Sequence, residues 1–451
     1  MSQNLKLLLL LCLIQGSVWS QNQKFSLDQA RAYGVLNRKT MTIADLEVLS
    51  AQKKVLEVTA MGLPQIKAEG TFQQYLNIPT SVVDASFINP NAPPGSTVSF
   101  RMGTTYSMIG GVSASQLLFD GSYFVGLQVS KHVADFASMN KDKVAWDIQY
   151  QVTQAYFNVL TAKSNVQIMD SIVKSTENLY RKMESMRKIG FIEQQEVDQL
   201  EMNFSRSKSM LNNAGRLLNV AKNMLKMQMG YPYDQDLDVD ADLQQYVNKI
   251  ILEYGQIKGS VEQNMQLILM AKRKEISEYE LKNTQYAYFP QLSAFFNHQY
   301  MAFRNEFNFF SGGDWFPSTA WGINLRVPVF TGGMRHQKVQ QAKIDVLKRE
   351  EEINEAKRML EFQEIRLIQD FESAIEQLRI EEKNVDLAMK IYANSSNKKN
   401  IGTNSTLDVT QAYSQILNAQ AEYIRACSSL LNTKSELDNL YGTFNKIIES
   451  K

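Results

Sequence analysis

The chain is 451 residues long, and its 48 Lys and Arg nearly balance 47 Asp and Glu, for a formal net charge of +1. That balance excludes the basic footprint of a nucleic-acid binder. Its two cysteines exclude a disulfide-built scaffold.

Residues 1–20 read as a secretory signal: Lys6 supplies the positive start, Leu7 to Ile14 is a short apolar run, and Val18 and Ser20 are small enough for cleavage after Ser20. Leucines precede Cys12, where a lipoprotein signal wants a small residue, which argues against lipidation. Cys427 is then left without a partner for a disulfide, and its helical neighbours Tyr423 and Leu430 suggest a buried thiol. No later stretch reaches the ~18 consecutive apolar residues of a membrane helix, so the exported chain is either soluble or meets a membrane through strands.

Residues 27–61 read as one amphipathic helix, ended by Gly62-Leu63-Pro64, because proline cannot continue a helix and pushes its predecessor to extended geometry. The period then changes. Ile66, Ala68, Gly70 and Phe72 alternate with Lys67, Glu69, Thr71 and Gln73 over residues 66–76, which predicts a strand with one apolar and one polar face. Residues 77–103, rich in Pro, Gly, Ser and Asn, predict a long loop. A second strand spans 105–119, closed by Asp120-Gly121. From 123 to 189 the signal is helical, with a seam at Val152, Ala155, Val159, Ala162, Val166, Met169, Val173, Thr176, Tyr180 and Met183. At ~1.5 Å per residue that helix runs about 100 Å. Gly190 turns the chain, 194–229 runs back, Gly230-Tyr231-Pro232 stops it, and the acidic residues 234–242 read as a solvated connector.

The order then repeats. Residues 261–286 predict a helix, with Phe289-Pro290-Gln291 in the place of Leu63-Pro64-Gln65. A strand at 292–303, an aromatic loop at 304–318 and a strand at 321–330 follow, closed by Thr331-Gly332-Gly333. Residues 334–397 form the second long helix, with a seam at Leu367, Phe371, Ala374, Leu378, Val385, Ala388 and Tyr392 that breaks once, at Glu381. After Ile401-Gly402 a return helix carries Val409, Ala412, Ile416, Ala419, Tyr423, Ala426 and Leu430 at alternating steps of three and four, the mark of a heptad seam. Gly190 and Gly402 lie 212 positions apart (402 − 190), as do Val197 and Val409 (409 − 197). One helical hairpin is written twice.

The expected fold is mostly α with a β membrane part. Its domains are a signal peptide (1–20), a first repeat (21–235, strands 66–119, tip near 190), a connector (236–258), a second repeat (259–445, strands 292–330, tip near 402) and a tail (446–451). Four strands cannot close a membrane barrel, for which about eight is the minimum. Open edges would expose backbone groups to lipid at several kcal/mol each. If the strands span a membrane, several chains must share one barrel.

Little else carries chemistry. The methionines scatter over helix faces, which favours packing over Cu(I) binding, and His132, His298 and His336 show no ligand spacing. Gly332-Gly333 lacks the lysine of a phosphate loop. No nucleophile, base or metal constellation supports an enzyme, and no cofactor is expected. The acidic residues Glu193, Glu196, Asp198, Glu201 and Asp408 near the turns are explained equally well by the helix dipole.

The doubled order of helix, Leu-Pro-Gln or Phe-Pro-Gln, strand pair, long helix, glycine turn and return helix resembles the TolC-type outer membrane efflux protein family over residues 27–442. The resemblance implies a homotrimer with a twelve-stranded β-barrel in the outer membrane of a Gram-negative bacterium and a twelve-helix α-barrel across the periplasm. It implies passive export, driven by an inner-membrane pump joined through a periplasmic adaptor. It places a gate at the tips: Ile401-Gly402-Thr403 fits the family's Val-Gly-Thr-Arg, Asn404 replaces its arginine, Asp408 matches its first aspartate, Gln411 replaces the second, and Glu196 stands at the equivalent acidic position of the first copy. Three copies of Asp408 would ring the pore end, favouring bound cations or raised carboxylate pKa values. Without the arginine, the expectation is a more easily opened tip held by neutral hydrogen bonds. Ile189, Gly190, Ile401, Gly402 and Thr403 would meet the adaptor. The rival readings are a periplasmic adaptor-like protein and a structural coiled coil without a pore. The first should carry one hairpin and a lipoyl-like domain; the second leaves the proline-bounded strands unexplained.

Overall fold

The computed structural model describes residues 23–253 and 259–443. The signal segment with Cys12, the tail 446–451 and connector residues 254–258 lie outside the described residues. Eight helices are described: α1 (Leu27–Asn37), α2 (Lys39–Ala60), α3 (Gly121–Lys188), α4 (Gln194–Met229), α5 (Leu243–Glu253), α6 (Met265–Tyr286), α7 (Met334–Asn400) and α8 (Thr406–Tyr441). The strands are β1 (Gln23–Phe25), β2 (Gln65–Gln74), β3 (Thr80–Asp84), β4 (Thr97–Arg101), β5 (Tyr106–Asp120), β6 (Leu237–Val239), β7 (Gln291–Arg304) and β8 (Phe316–Arg326). Contacts divide the chain into two units.

The first unit holds the described residues of Met1–Val48, Phe136–Ala271 and Glu351–Lys451. Its core is the seams. Val152, Val159 and Leu160 of α3, Leu225 and Met229 of α4, Leu367 and Phe371 of α7 and Leu430 and Leu431 of α8 are all at most 1% exposed. Each such side chain contributes about 1.5–3 kcal/mol by leaving water. A second cluster, nearer the turns, gathers Met183, Leu200, Tyr392, Val409, Ala412 and Tyr413. Cys427 is fully buried, and desolvation pushes its thiol up to about 11. It therefore stays protonated and inert near neutral pH. Glu381, the break in the seam, is also buried, and its carboxylate accepts hydrogen bonds from Gln377 Nε2 (2.6 Å) and Asn384 Nδ2 (3.0 Å).

Three expectations in this unit need correction. The helix over 27–61 is two helices, broken at Arg38, whose backbone is extended (ψ 130°). Gly230 comes so close there that an added Cβ would lie 3.2 Å from Arg38 Cα, while Arg38 Nη1 reaches across to Gln151 Oε1 (2.5 Å). The 261–286 helix starts with a separate 3₁₀ turn, Val261–Gln263, and the α-helix begins after Asn264. The acidic connector is not simply solvated. Leu237 and Val239 are buried in β6, which pairs in parallel with β1. Lys163 neutralises Asp238 between them at 3.0 Å and also donates to Val239 O at 2.9 Å.

Two helices carry a second apolar stripe that the seam analysis did not register. On α7, Met359, Phe362, Ile365, Ile380, Leu387 and Ile391 are 47–69% exposed, on the face opposite the buried seam. On α4, Met202, Met210, Leu217, Val220, Met224 and Met227 are 37–71% exposed. At 100° per residue both sets form stripes.

The second unit, Leu49–Asp135 and Lys272–Glu350, holds a four-stranded antiparallel sheet in the order β2-β5-β7-β8. The expected 77–103 loop is partly structured: β3 pairs antiparallel with β4, around a 3₁₀ turn at Ala85–Phe87. The last strand runs over 316–326, not 321–330. Pro317 is tolerated because β8 is an edge strand in this chain, and Pro328 helps exclude 327–330 from the ladder. Asp120 ends β5 and starts α3: its Oδ1 accepts from the backbone N–H groups of Ser122 (2.8 Å) and Tyr123 (3.3 Å), and its Oδ2 accepts from Gln291 Nε2 (3.1 Å).

Candidate functional site

Period two gives the sheet two faces. The registers Lys67–Ser113–Asn297–Ala320 and Glu69–Gly111–Gln299–Ser318 place polar and small residues on one face. The registers Ile66–Ala114–Phe296–Trp321 and Phe72–Met108–Ala302 place apolar residues on the other. The polar face is the hollow one: a groove of about 420 Å³ is lined by Glu69, Thr71, Ser113, Asn297, Gln299 and Ser318. Leu118 bulges out of the β5–β7 ladder, and the shift turns Phe119 onto the apolar face beside Leu292. Phe72, Tyr106, Phe307 and Phe309 stack edge and face over one end of that face, with centroids 5.7–6.2 Å apart. In this chain β2 and β8 keep an unpaired edge.

The hairpin tips belong to the helical unit. Both turns use the same device. Gly190 and Gly402 adopt φ of +83° and +78°, where a side chain is strained. The residue after each glycine donates its N–H five residues back, Phe191 to Met186 O and Thr403 to Lys398 O, both 3.0 Å. Beyond the glycines the tips diverge. Ser405 caps α8: its Oγ accepts from the Asp408 N–H (3.1 Å), and Asp408 Oδ2 accepts from the Ser405 N–H (3.0 Å) and Oγ (2.7 Å). That reciprocal box holds the Asp408 carboxyl below the usual aspartate value, the Ser405 side chain contributing most. At the first tip Glu193 occupies the capping position and its side chain makes no cap hydrogen bond. Glu196, the counterpart of Asp408, instead reaches the other hairpin. Its Oε2 accepts from Lys399 Nζ at 2.7 Å, and the Lys399 side chain is only 6% exposed. A second link joins α4 to α8, Asn203 Nδ2 donating to Thr410 Oγ1 at 3.1 Å.

Of the residues singled out from the sequence, Ile189, Gly190, Ile401, Gly402, Thr403, Asp408 and Gln411 are exposed, and Asn404 is half-buried. Among the described residues none receives a hydrogen bond from the Asn404 side chain. Sequence reasoning missed Lys399, whose ion pair with Glu196 joins the two hairpins within this chain. The available signal was Lys398-Lys399 in the last turn of α7, a placement that the helix dipole by itself explains.

Residues 257–443 match the family model described as outer membrane efflux protein. No curated protein sequence matches the chain. Among solved structures, the chain resembles the Vibrio cholerae outer membrane protein VceC at 15% identity, with 92% of this chain and 96% of that one covered and a TM-score of 0.66. It resembles the Campylobacter jejuni outer membrane channel CmeC at 17% identity, with 96% and 92% covered and a TM-score of 0.66. It also resembles the open state of the Neisseria gonorrhoeae MtrE outer membrane channel at 16% identity, with 92% and 88% covered and a TM-score of 0.68. At such identities the structures speak for the fold, and the family rests on the matched second half. The matched stretch, less than half of the chain, is similar to the outer membrane efflux proteins.

Proposed function

We propose that several copies of this chain form the exit duct of an efflux or secretion system, a passive channel through the outer membrane that opens at its periplasmic tips. The observation that carries the reading is the sheet. An apolar outer face, a polar hollow face and two unpaired edges suit a piece of a lipid-embedded barrel completed by other copies, since unpaired edges cannot face hydrocarbon. The family's trimer supplies twelve strands from three such sheets. The outer stripes of α4 and α7 suit the same assembly: each lacks a partner among the described residues of its own chain, and a ring would set one copy's α7 against the next copy's α4. The adaptor and the inner-membrane pump enter as the family's partners, with Ile189, Gly190, Ile401, Gly402 and Thr403 as the docking tips.

The Glu196–Lys399 pair serves as the latch of the closed tip, tying the start of α4 to the end of α7. Asp408 and Gln411 are assigned to the pore-end ring by the family resemblance. The test is purification in detergent, heat-modifiable migration on a gel, negative-stain imaging and conductance in planar bilayers. Three-fold end views and a channel whose conductance rises when the tips are loosened support the duct. A compact monomer without conductance overturns it.

A further inference from the structure

The outer face of α4 holds an unusual concentration of one residue type. Met202, Met210, Met224 and Met227 are 71%, 37%, 47% and 47% exposed, while Met183 and Met229 are fully buried in the core of the same unit. The apolar residues between the exposed four are Leu217 and Val220. The face is not flat: Met210 and Leu217 border a groove of about 480 Å³ whose other walls include Leu417, Ala421 and Ile424 of α8. The chain also carries a second apolar stripe, on α7, where Phe362, Ile365 and Ile380 are 48–69% exposed. A second copy can seat those side chains in the groove.

We propose that this methionine face makes assembly of the copies sensitive to oxidation: sulfoxides at Met202, Met210, Met224 and Met227 in the unassembled chain prevent α7 of another copy from docking. The inference rests on the multi-copy reading above. The oxidant class is a hypohalous acid. The thioether sulfur attacks the chlorine of hypochlorous acid and hydroxide leaves; water then adds to sulfur and chloride departs. The net change is thioether plus hypochlorous acid to sulfoxide, chloride and one proton, with sulfur losing two electrons and chlorine gaining them. The product is a polar acceptor on a once apolar side chain. Leu217 and Val220 beside it offer no donor, and the apolar α7 side chains bring none; Ser209, Asn213 and Arg216 at the groove can reach Met210, so the sulfoxides pressed against the α7 stripe are the ones that docking would bury unsatisfied. Once a second copy covers the face, the same sulfurs are shielded.

The full-length chain, refolded as monomer, is treated with limiting hypochlorous acid before being allowed to assemble. Oxygen addition at each methionine is read by peptide mass spectrometry and the oligomer by native mass spectrometry. Wild-type oligomer should fall about tenfold, the cost of burying one unsatisfied polar group per contact. Methionine sulfoxide reductases should restore it. The variant M202L/M210L/M224L/M227L should resist, whereas M61L/M102L/M334L should lose oligomer as wild type does. A quadruple variant as sensitive as wild type overturns the proposal. A second measurement needs no variant: in a partly oxidised wild-type sample, the four sulfoxides should be confined to the monomer fraction while those at Met61 and Met102 are shared between fractions. Equal distribution of all sulfoxides also overturns it. If untreated wild type forms no oligomer, it is the multi-copy reading that fails, a separate result.

Discussion

The two hairpin tips are built from one repeat, yet they divide its charges differently. Both turn on a left-handed glycine with the same long-range backbone bond. At the second tip a serine at the capping position recruits Asp408 into a local box. At the first, Glu193 leaves that position without a side-chain cap, so the equivalent carboxylate, Glu196, is free to cross to Lys399. One substitution at the cap therefore decides whether the next acidic residue stabilises its own helix or ties two hairpins together.

The largest expected effect comes from attacking the crossing pair. Lys399→Glu places a nearly buried carboxylate against Glu196, and breaking a buried pair in this way costs about 3–5 kcal/mol, reduced here because Glu196 is partly solvated. Conductance in bilayers should rise well above wild type. Glu196→Gln should give a smaller rise and Asp408→Asn little, since Asp408 spends its hydrogen bonds within its own helix. Equal effects of Glu196→Gln and Asp408→Asn would erase the distinction between the tips.

Next is the shared turn. Gly402→Lys forces a side chain into φ of +78°, at about 1–2 kcal/mol. It also sets a bulky charge on the surface assigned to the adaptor. Crosslinking to the adaptor should vanish while the heat-modifiable oligomer persists. Gly190→Lys should weaken the crosslink to a similar extent; an effect at only one tip would show that the adaptor uses one hairpin.

Much of this fold was legible before any coordinates. Heptad seams announce long helices over many turns, and the return helix 194–229 ends where the period ends. Prolines and period two mark β2, β5 and β7 to within a few residues. The sequence hides what depends on a distant partner. Strand β6 is three residues inside an acidic stretch, and only pairing with β1, more than 200 residues away, makes Leu237 and Val239 a buried pair. Strand β8 begins earlier than its pattern suggests, because the aromatic run ending in Trp315 and Phe316 reads as loop while Phe316 already pairs with Met301. The outer stripes of α4 and α7 were in plain view as Met, Leu, Ile and Phe at helical spacing. They went unread because one seam already explained each helix. The pairing of Lys399 with Glu196 could not be read from the sequence, because nothing local distinguishes Lys399 from Lys398.

Smaller still is the cap itself. Ser405→Ala should destabilise the first turn of α8 by about 1 kcal/mol, read as faster amide exchange over residues 406–409. Glu193→Ala should leave the start of α4 unchanged, there being no side-chain cap to lose. Glu193→Ser should slow exchange there and, by drawing Glu196 into a new box, raise conductance as the latch weakens. Slower exchange without any change in conductance would separate Glu196 from the gate.

The finest test is pH. The Asp408 carboxyl lies lower in the folded chain than in the unfolded one because of its bonds to Ser405. Its stabilisation of the α8 start is therefore fully present above the ordinary aspartate value of about 3.9 and fades as pH falls through the lower folded value. Amide protection over 406–409 should hold at pH 5 and decline only in stronger acid, and Asp408→Asn should remove that dependence. Assembly adds an opposing term. If three Asp408 side chains face one another at a pore end, their repulsion raises the value, and the loss of protection should begin at a higher pH in the oligomer than in the monomer. Coincident transitions in the two would mean that Asp408 caps its helix without sharing a ring, leaving the Glu196–Lys399 pair as the charged part of the gate.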